Sequence, residues 1–262
     1  MTEHYNEGGA SRGRGPWIGQ RGWLQHRRGQ ARRMVVAGTT EVTERMLRVS
    51  LVSDDLEDFR WSPGQDMVLE LPLASGETAR RHYTIRNYDE AEQRVDVDVV
   101  LHGAGASAQW LEQVRIGDKL IAVGPRGHTR LAGDVTRHLF IGDETCIPAI
   151  AAMSEHLHPS VRAQALIEVV DEADIQPLNS QADLTIAWLY RQGAAPGDSR
   201  LLLDAVKGLQ IDRTTTQAYV IGETSQVRAV RQHLIAAGLP KARITAEGYW
   251  RPGRVGGHDH VF

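Results

Sequence analysis

The chain has 262 residues, 41% of them hydrophobic and 24% charged, the balance of a globular protein of one large or two ordinary domains. A net charge of −3 argues against nucleic acid as a partner, and the single cysteine, Cys146, excludes an intrachain disulfide, a four-cysteine zinc site and a four-cysteine iron–sulfur cluster. No apolar run of about 18 residues and no apolar signal core occur, so a cytoplasmic protein without membrane contact, and a monomer, is expected.

Residues 1–33 carry seven arginines against Glu3 and Glu7 and are rich in Gly and Gln, with Tyr5, Trp17 and Trp23 interspersed. They show no strand or helix period and are expected to form a disordered or loosely docked extension. Residues 34–133 read as β-rich. Strands are expected over Met34–Ala37, Arg45–Val52, Asp66–Leu71, Arg80–Arg86, Val95–Leu101 and Lys119–Val123, with a helix over Ser107–Val114. Turns of Gly, Asp, Ser and Pro separate them, the pattern of a small antiparallel β-barrel. From residue 134 to 262 the pattern changes. Short apolar strands at His138–Ile141, Ala165–Val170, Leu184–Leu189 and Ala218–Ile221 are joined with helices at Ile147–Leu157, Arg200–Gly208 and Ser225–Ala237. This alternation implies an α/β domain with a parallel sheet covered on both faces, of the nucleotide-binding kind. Gly238 and Pro240 stop the last of these helices.

Arg81-His82-Tyr83-Thr84-Ile85-Arg86 is the most informative stretch. Alternation along a strand puts Arg81 and Tyr83 on one face. A guanidinium suits a diphosphate, an aromatic suits a flavin ring, and Thr84 suits the ring edge. The plainer reading is an amphipathic strand with a surface arginine and a half-buried tyrosine. About twenty residues on, His102-Gly103-Ala104-Gly105-Ala106-Ser107 joins a strand to a helix, where glycines allow close backbone approach and helix amides attract phosphate.

In the α/β half, Gly142-Asp143-Glu144-Thr145-Cys146 follows the first strand, where open α/β sheets bind ligands. Thr145 suits a diphosphate. Asp143 and Glu144 repel one, so they point away or meet ribose or nicotinamide; alternatively the turn is only a helix cap. Cys146 reads as a small helix residue. Gly222 and Glu223 close a second strand at the same edge, which makes a nicotinamide pocket there. Arg191 ends the strand carrying Trp188 and Tyr190; it either takes an adenosine 2′-phosphate or is solvated. Tyr249, Trp250 and Arg251, bounded by Gly248 and Gly253, lie beside a cofactor or clamp the last strand. His258, Asp259 and His260 read as a solvated tail rather than a metal site.

In this order the motifs Arg81–Arg86, His102–Ser107, Gly124–Gly127, Gly142–Thr145 and Gly248–Arg251 resemble those of siderophore-interacting proteins of the ferredoxin-reductase superfamily. The resemblance spans residues 34–255. It implies an NAD(P)H-dependent, FAD-containing ferric-siderophore reductase: a nicotinamide donates electrons in pairs, ferric iron accepts one, and a flavin reconciles the two. It further implies FAD contacts at Arg81, His82, Tyr83 and Thr84, a diphosphate cradle over His102, Gly103, Gly105 and Ser107, and an NADPH or NADH side lined by Asp143, Glu144 and Thr145. An anionic ferric siderophore calls for cations near the flavin; Arg126 and Arg251 are the candidates, with Lys241 and Arg243 behind them. Ala106, Cys146 and Ile221 depart from the usual residues without removing a functional group. A general flavin or ferredoxin-type reductase and a non-catalytic siderophore carrier are the competing readings.

Overall fold

The computed structural model describes residues 30–101, 105–254 and 259–260. The expected extension, as far as residue 29, lies outside them, as do His102, Gly103 and His258.

Alternating apolar residues build strands β1 (Gln30–Thr43), β2 (Met46–Val52), β3 (Asp66–Pro72), β4 (Thr78–Thr84), β5 (Asn87–Asp89), β6 (Arg94–Val100) and β7 (Lys119–Arg126). Helix α1 (Ala106–Gln113) lies between the last two. The strands form one antiparallel sheet in the order β4-β3-β7-β1-β2-β6-β5. At the end of β4 the chain crosses from one edge to the other. Ile85 N–H bonds to Gln65 O and Arg86 N–H to Asp96 O, both at 2.9 Å, which curls the sheet towards a barrel. Met34, Leu51, Phe59, Leu69, Val97 and Trp110 fill its interior.

Strand β1 starts at Gln30, so Arg32 and Arg33 belong to the barrel and not to the extension. Arg32 is buried: its guanidinium bonds to Gly124 O and Asp55 O, both at 2.8 Å, and to Asp58 at 2.6 Å. A cation so placed must be fully bonded to offset its desolvation.

The second half contains β8 (Arg137–Asp143), α2 (Ile147–Glu155), β9 (Arg162–Val169), β10 (Asp183–Tyr190), α3 (Leu201–Lys207), β11 (Thr216–Glu223), α4 (Thr224–Ala236), β12 (Ile244–Trp250) and β13 (Asp259–His260). Five strands are parallel in the order β10-β9-β8-β11-β12, and β13 joins antiparallel at the edge. Helix α2 packs on one face against Phe140, Ile167 and Tyr219, while α3 and α4 cover Leu139, Val220 and Leu166 on the other. The chain winds outward one way from β8 and the other way from β11. The reversal between them is the switch point at which open α/β sheets form their ligand crevice.

Arg86 joins the halves through Glu155 on α2, at 2.6 and 2.8 Å, and Arg45 does so through Asp171 and Asp174. Among the described residues no helix is long and apolar enough to cross a membrane.

Candidate functional site

At the switch point three strand ends crowd together. A Cβ on Gly142 would lie 1.9 Å from Ile221 O, and one on Gly248 would lie 2.4 Å from Thr224 Oγ1, so neither position admits a side chain. The close approach lets Asp143 reach every neighbour. Its Oδ2 accepts from Glu223 N–H at 2.7 Å and from Trp250 Nε1–H at 2.9 Å. Its Oδ1 accepts from Thr145 N–H at 2.9 Å and from the Thr145 hydroxyl at 2.5 Å. The buried carboxyl thus ties the ends of β8, β11 and β12 to the turn. Burial, and then the neighbouring Glu144 charge, push its pKa up to about 6 against the hydrogen bonds.

Both carboxylates of the acidic turn, Asp143 and Glu144, are buried. Glu144 faces Arg191 in a two-pronged pair of 2.6 and 2.7 Å. Arg191 also lies 3.5 Å from Glu168, which accepts from the Ser199 hydroxyl. The Arg191 side chain is 1% exposed. Arg191 therefore corrects both expectations for it: it is neither solvated nor free to take a 2′-phosphate, because two carboxylates neutralise it. Glu223 is likewise turned inward and caps α4 through Ser225 Oγ and Gln226 N–H, with Gly222 at φ +142° leading into it. Cys146 is buried, and burial raises its thiol pKa well above the ordinary value, which suits packing and not nucleophilic chemistry.

From the barrel side, β4 presents two faces. Tyr83 packs against the barrel interior and donates its hydroxyl to Ser107 Oγ at 2.7 Å; burial lifts its pKa to about 12. On the other face His82 Nδ1 lies 2.8 Å from Asp66, and the Thr84 hydroxyl lies 3.3 Å from that of Tyr249. Arg80, Arg86 and Arg94 each meet a carboxylate. Arg81 donates one hydrogen bond, to Arg80 O, and meets no carboxylate among the described residues. Helix α1 opens at Gly105, and among the described residues no side chain caps its first amides, where an anion is favoured.

These two sets of residues line one cleft. His82, Tyr83, Thr84 and Ser107 come from the first half, and Thr145, Tyr249 and Trp250 from the second. Its volume of about 140 Å³ is below the ~300 Å³ of ordinary ligand pockets, because Tyr249 lies across Thr84. Asp66, Asp98 and Pro148 also line the cleft and were not foreseen; the signal for Asp66 is its cross-strand pairing with Thr84, invisible until the register is known.

The cationic candidates separate. Arg126 closes β7 beside the cleft, 3.7 Å from Asp66, and Arg251 is exposed just past Trp250. Lys241 and Arg243 precede β12, so the strand's length, about 20 Å, keeps them from the cleft end. Arg243 pairs there with Asp134 at 3.2 Å. This corrects their placement behind Arg251. Asp259 and His260 are the strand residues of β13, paired with Gly248 and Glu247.

Comparison with known proteins agrees with the fold. The family profile described as siderophore-interacting protein matches residues 135–253, and that described as siderophore-interacting FAD-binding domain matches residues 72–129. Ferric vibriobactin reductase ViuB of Vibrio cholerae is 28% identical over 237 residues, 81% of this chain and 86% of that one. The NADPH-dependent ferric-chelate reductase of Escherichia coli is 30% identical over 166 residues, 62% of this chain and 63% of that one. The crystal structure of a siderophore utilization protein from T. fusca matches with a TM-score of 0.81 at 30% identity, over 88% of this chain and 96% of that one.

Proposed function

The chain belongs to the siderophore-interacting protein family, and on that premise we propose that it reduces ferric siderophores through bound FAD with electrons from NADPH or NADH, releasing iron(II). One observation carries the proposal. His82, Tyr83, Thr84 and the first-turn Ser107 of α1 on the barrel side, and Thr145 of the switch-point turn with Tyr249 and Trp250 on the α/β side, line a single cleft, with Arg81 next to it in sequence on β4. The relatives named for ferric vibriobactin reduction and for NADPH-dependent ferric-chelate reduction support the same reading.

The donor set fits FAD. Arg81 and the first amides of α1 would hold the diphosphate, Tyr83 and Thr84 would border the ring, and Tyr249 would cover it from the opposite half. Bound there, the flavin supplies the conversion from paired to single electrons that ferric iron requires. The protein's own work is positioning. Tyr249 and Trp250 exclude water from the ring's edge. Thr145 faces the nicotinamide side, and Asp143 holds the turn that carries it. Arg126 and Arg251 flank the cleft mouth and would attract an anionic chelate. The Arg191–Glu144 pair keeps two acidic groups from repelling the dinucleotide.

Iron transfer from a ferric tricatecholate to a ferrous-specific chelator tests the proposal. Colour should develop only when protein, FAD and a reduced nicotinamide are all present. Equal colour without the protein would refute it.

A further inference from the structure

Asp143 carries four hydrogen bonds, and three of them come from donors that have no alternative role: Thr145 N–H, Glu223 N–H and Trp250 Nε1–H. The fourth comes from the Thr145 hydroxyl, which can donate or accept. Thr145 also lines the cleft, and Asp143 is its hydroxyl's one hydrogen-bond partner among the described residues.

We propose that Asp143 acts through Thr145 as a polarity switch at the cleft. While Asp143 is ionised, Thr145 accepts a hydrogen bond from the carboxamide N–H of a nicotinamide; when Asp143 holds a proton, Thr145 donates one to a carbonyl. The inference rests on the reading of this cleft as the nicotinamide side.

Proton counting supports it. An ionised carboxylate only accepts, so at 2.5 Å the Thr145 hydrogen must lie on the line to Oδ1. Thr145 then turns lone pairs to the cleft. A proton added to Asp143 has one comfortable seat. On Oδ2 it would collide with the Glu223 and Trp250 donors, whereas on Oδ1 it can be given to Thr145 Oγ1. The Thr145 hydrogen is then released towards the ligand. No bond between strands is lost in the exchange, so the switch leaves the fold intact.

The surroundings place the transition near the working range. Glu144 repels the Asp143 charge from the same turn, Arg191 just past β10 attracts it, and Cys146 adds a neutral thiol. The Glu223 carboxylate on β11 faces its own helix. Burial dominates and brings the pKa to about 6. Asp143 is thereby a positioning residue: it sets the direction of a hydrogen bond it does not itself make to the ligand.

Titration calorimetry of the FAD-loaded protein tests this with two oxidised dinucleotides. One carries the natural nicotinamide. The other carries acetylpyridine in its place, which keeps the carbonyl and has no N–H. A carboxamide can turn to satisfy Thr145 in either state, but the acetyl group is served only when Thr145 donates. Lowering the pH from about 7.5 to about 5 should therefore raise the affinity of the acetylpyridine form relative to the natural one by about three- to tenfold. Thr145→Ser should keep that change, and Thr145→Val should abolish it. A ratio independent of pH in the unaltered protein, or an equal change in Thr145→Val, would overturn the proposal while leaving the nicotinamide site standing. Failure of both dinucleotides to bind at either pH would remove the site and the switch together.

Discussion

Glu144 and Arg191, 47 positions apart in sequence, form a buried two-pronged ion pair at the ends of β8 and β10. With Glu168 beside them, one guanidinium serves two carboxylates across three strands. The pair explains how an acidic turn can sit where a dinucleotide is expected: its charge is neutralised from behind.

Replacing that arginine separates structure from recognition. Arg191→Met should lower stability by about 3–5 kcal/mol, because Glu144 and Glu168 lose their shared cation while remaining buried. The ratio of kcat/KM for NADPH over NADH should stay within about twofold, since the guanidinium is already taken up by Glu144 and Glu168. Thermal melts and donor kinetics measure the two effects. An unchanged melt with a collapsed NADPH preference would restore Arg191 as a phosphate ligand.

Arg80 and Arg81 are neighbours with opposite prospects. Arg81→Ala should weaken FAD binding by about 10- to 150-fold, the equivalent of a charge-assisted contact worth about 1.5–3 kcal/mol. Arg80→Ala should leave FAD affinity nearly unchanged, because that guanidinium is already held by Glu70 at 2.7 Å. Equilibrium dialysis of flavin against both variants gives the comparison, and equal losses would dissolve the distinction.

Much of this arrangement was legible in the sequence. The strands around Asp66–Leu71 and Val95–Leu101 and the helices around residues 147–157, 200–208 and 225–237 stand within about two residues of their expected places. Period-two alternation put Arg81 with Tyr83, and strand-end turns put Thr145 near the cleft. What was hidden is pairing between distant positions. Arg191 reads alike whether solvated or buried until Glu144 is known to face it. Arg32 blends into an arginine-rich stretch until Gly124, 92 positions on, accepts its hydrogen bond. Lys241 and Arg243 are close to Trp250 in sequence and distant in space because an extended strand separates them.

Buried His138 should make the fold sensitive to acid. Its ring lies 6.1 Å from those of both Phe140 and Tyr219, which stack on each other at 5.1 Å, and burial lowers its pKa from 6.5 to about 4. The unfolded chain takes up the proton near pH 6.5 and the folded one resists until about 4. The stability from neutral His138 is thus complete above the first value and falls by about 3 kcal/mol towards the second. Asp143 acts with the opposite sign: raised from 3.8 to about 6, it favours the fold as the medium acidifies between those values. His138→Phe should remove the loss and leave the Asp143 gain. Urea unfolding across this range would show it, and identical pH profiles for both proteins would refute it.

The central claim is that this cleft carries electrons from a nicotinamide to ferric iron through a flavin, and an anaerobic absorbance measurement in two additions tests it most directly. The FAD-loaded protein should lose its yellow band on addition of NADPH or NADH. The band should return when a ferric tricatecholate follows, and should not return with the redox-inert gallium chelate. A band that neither nicotinamide bleaches, or that recovers equally with gallium, would contradict the account.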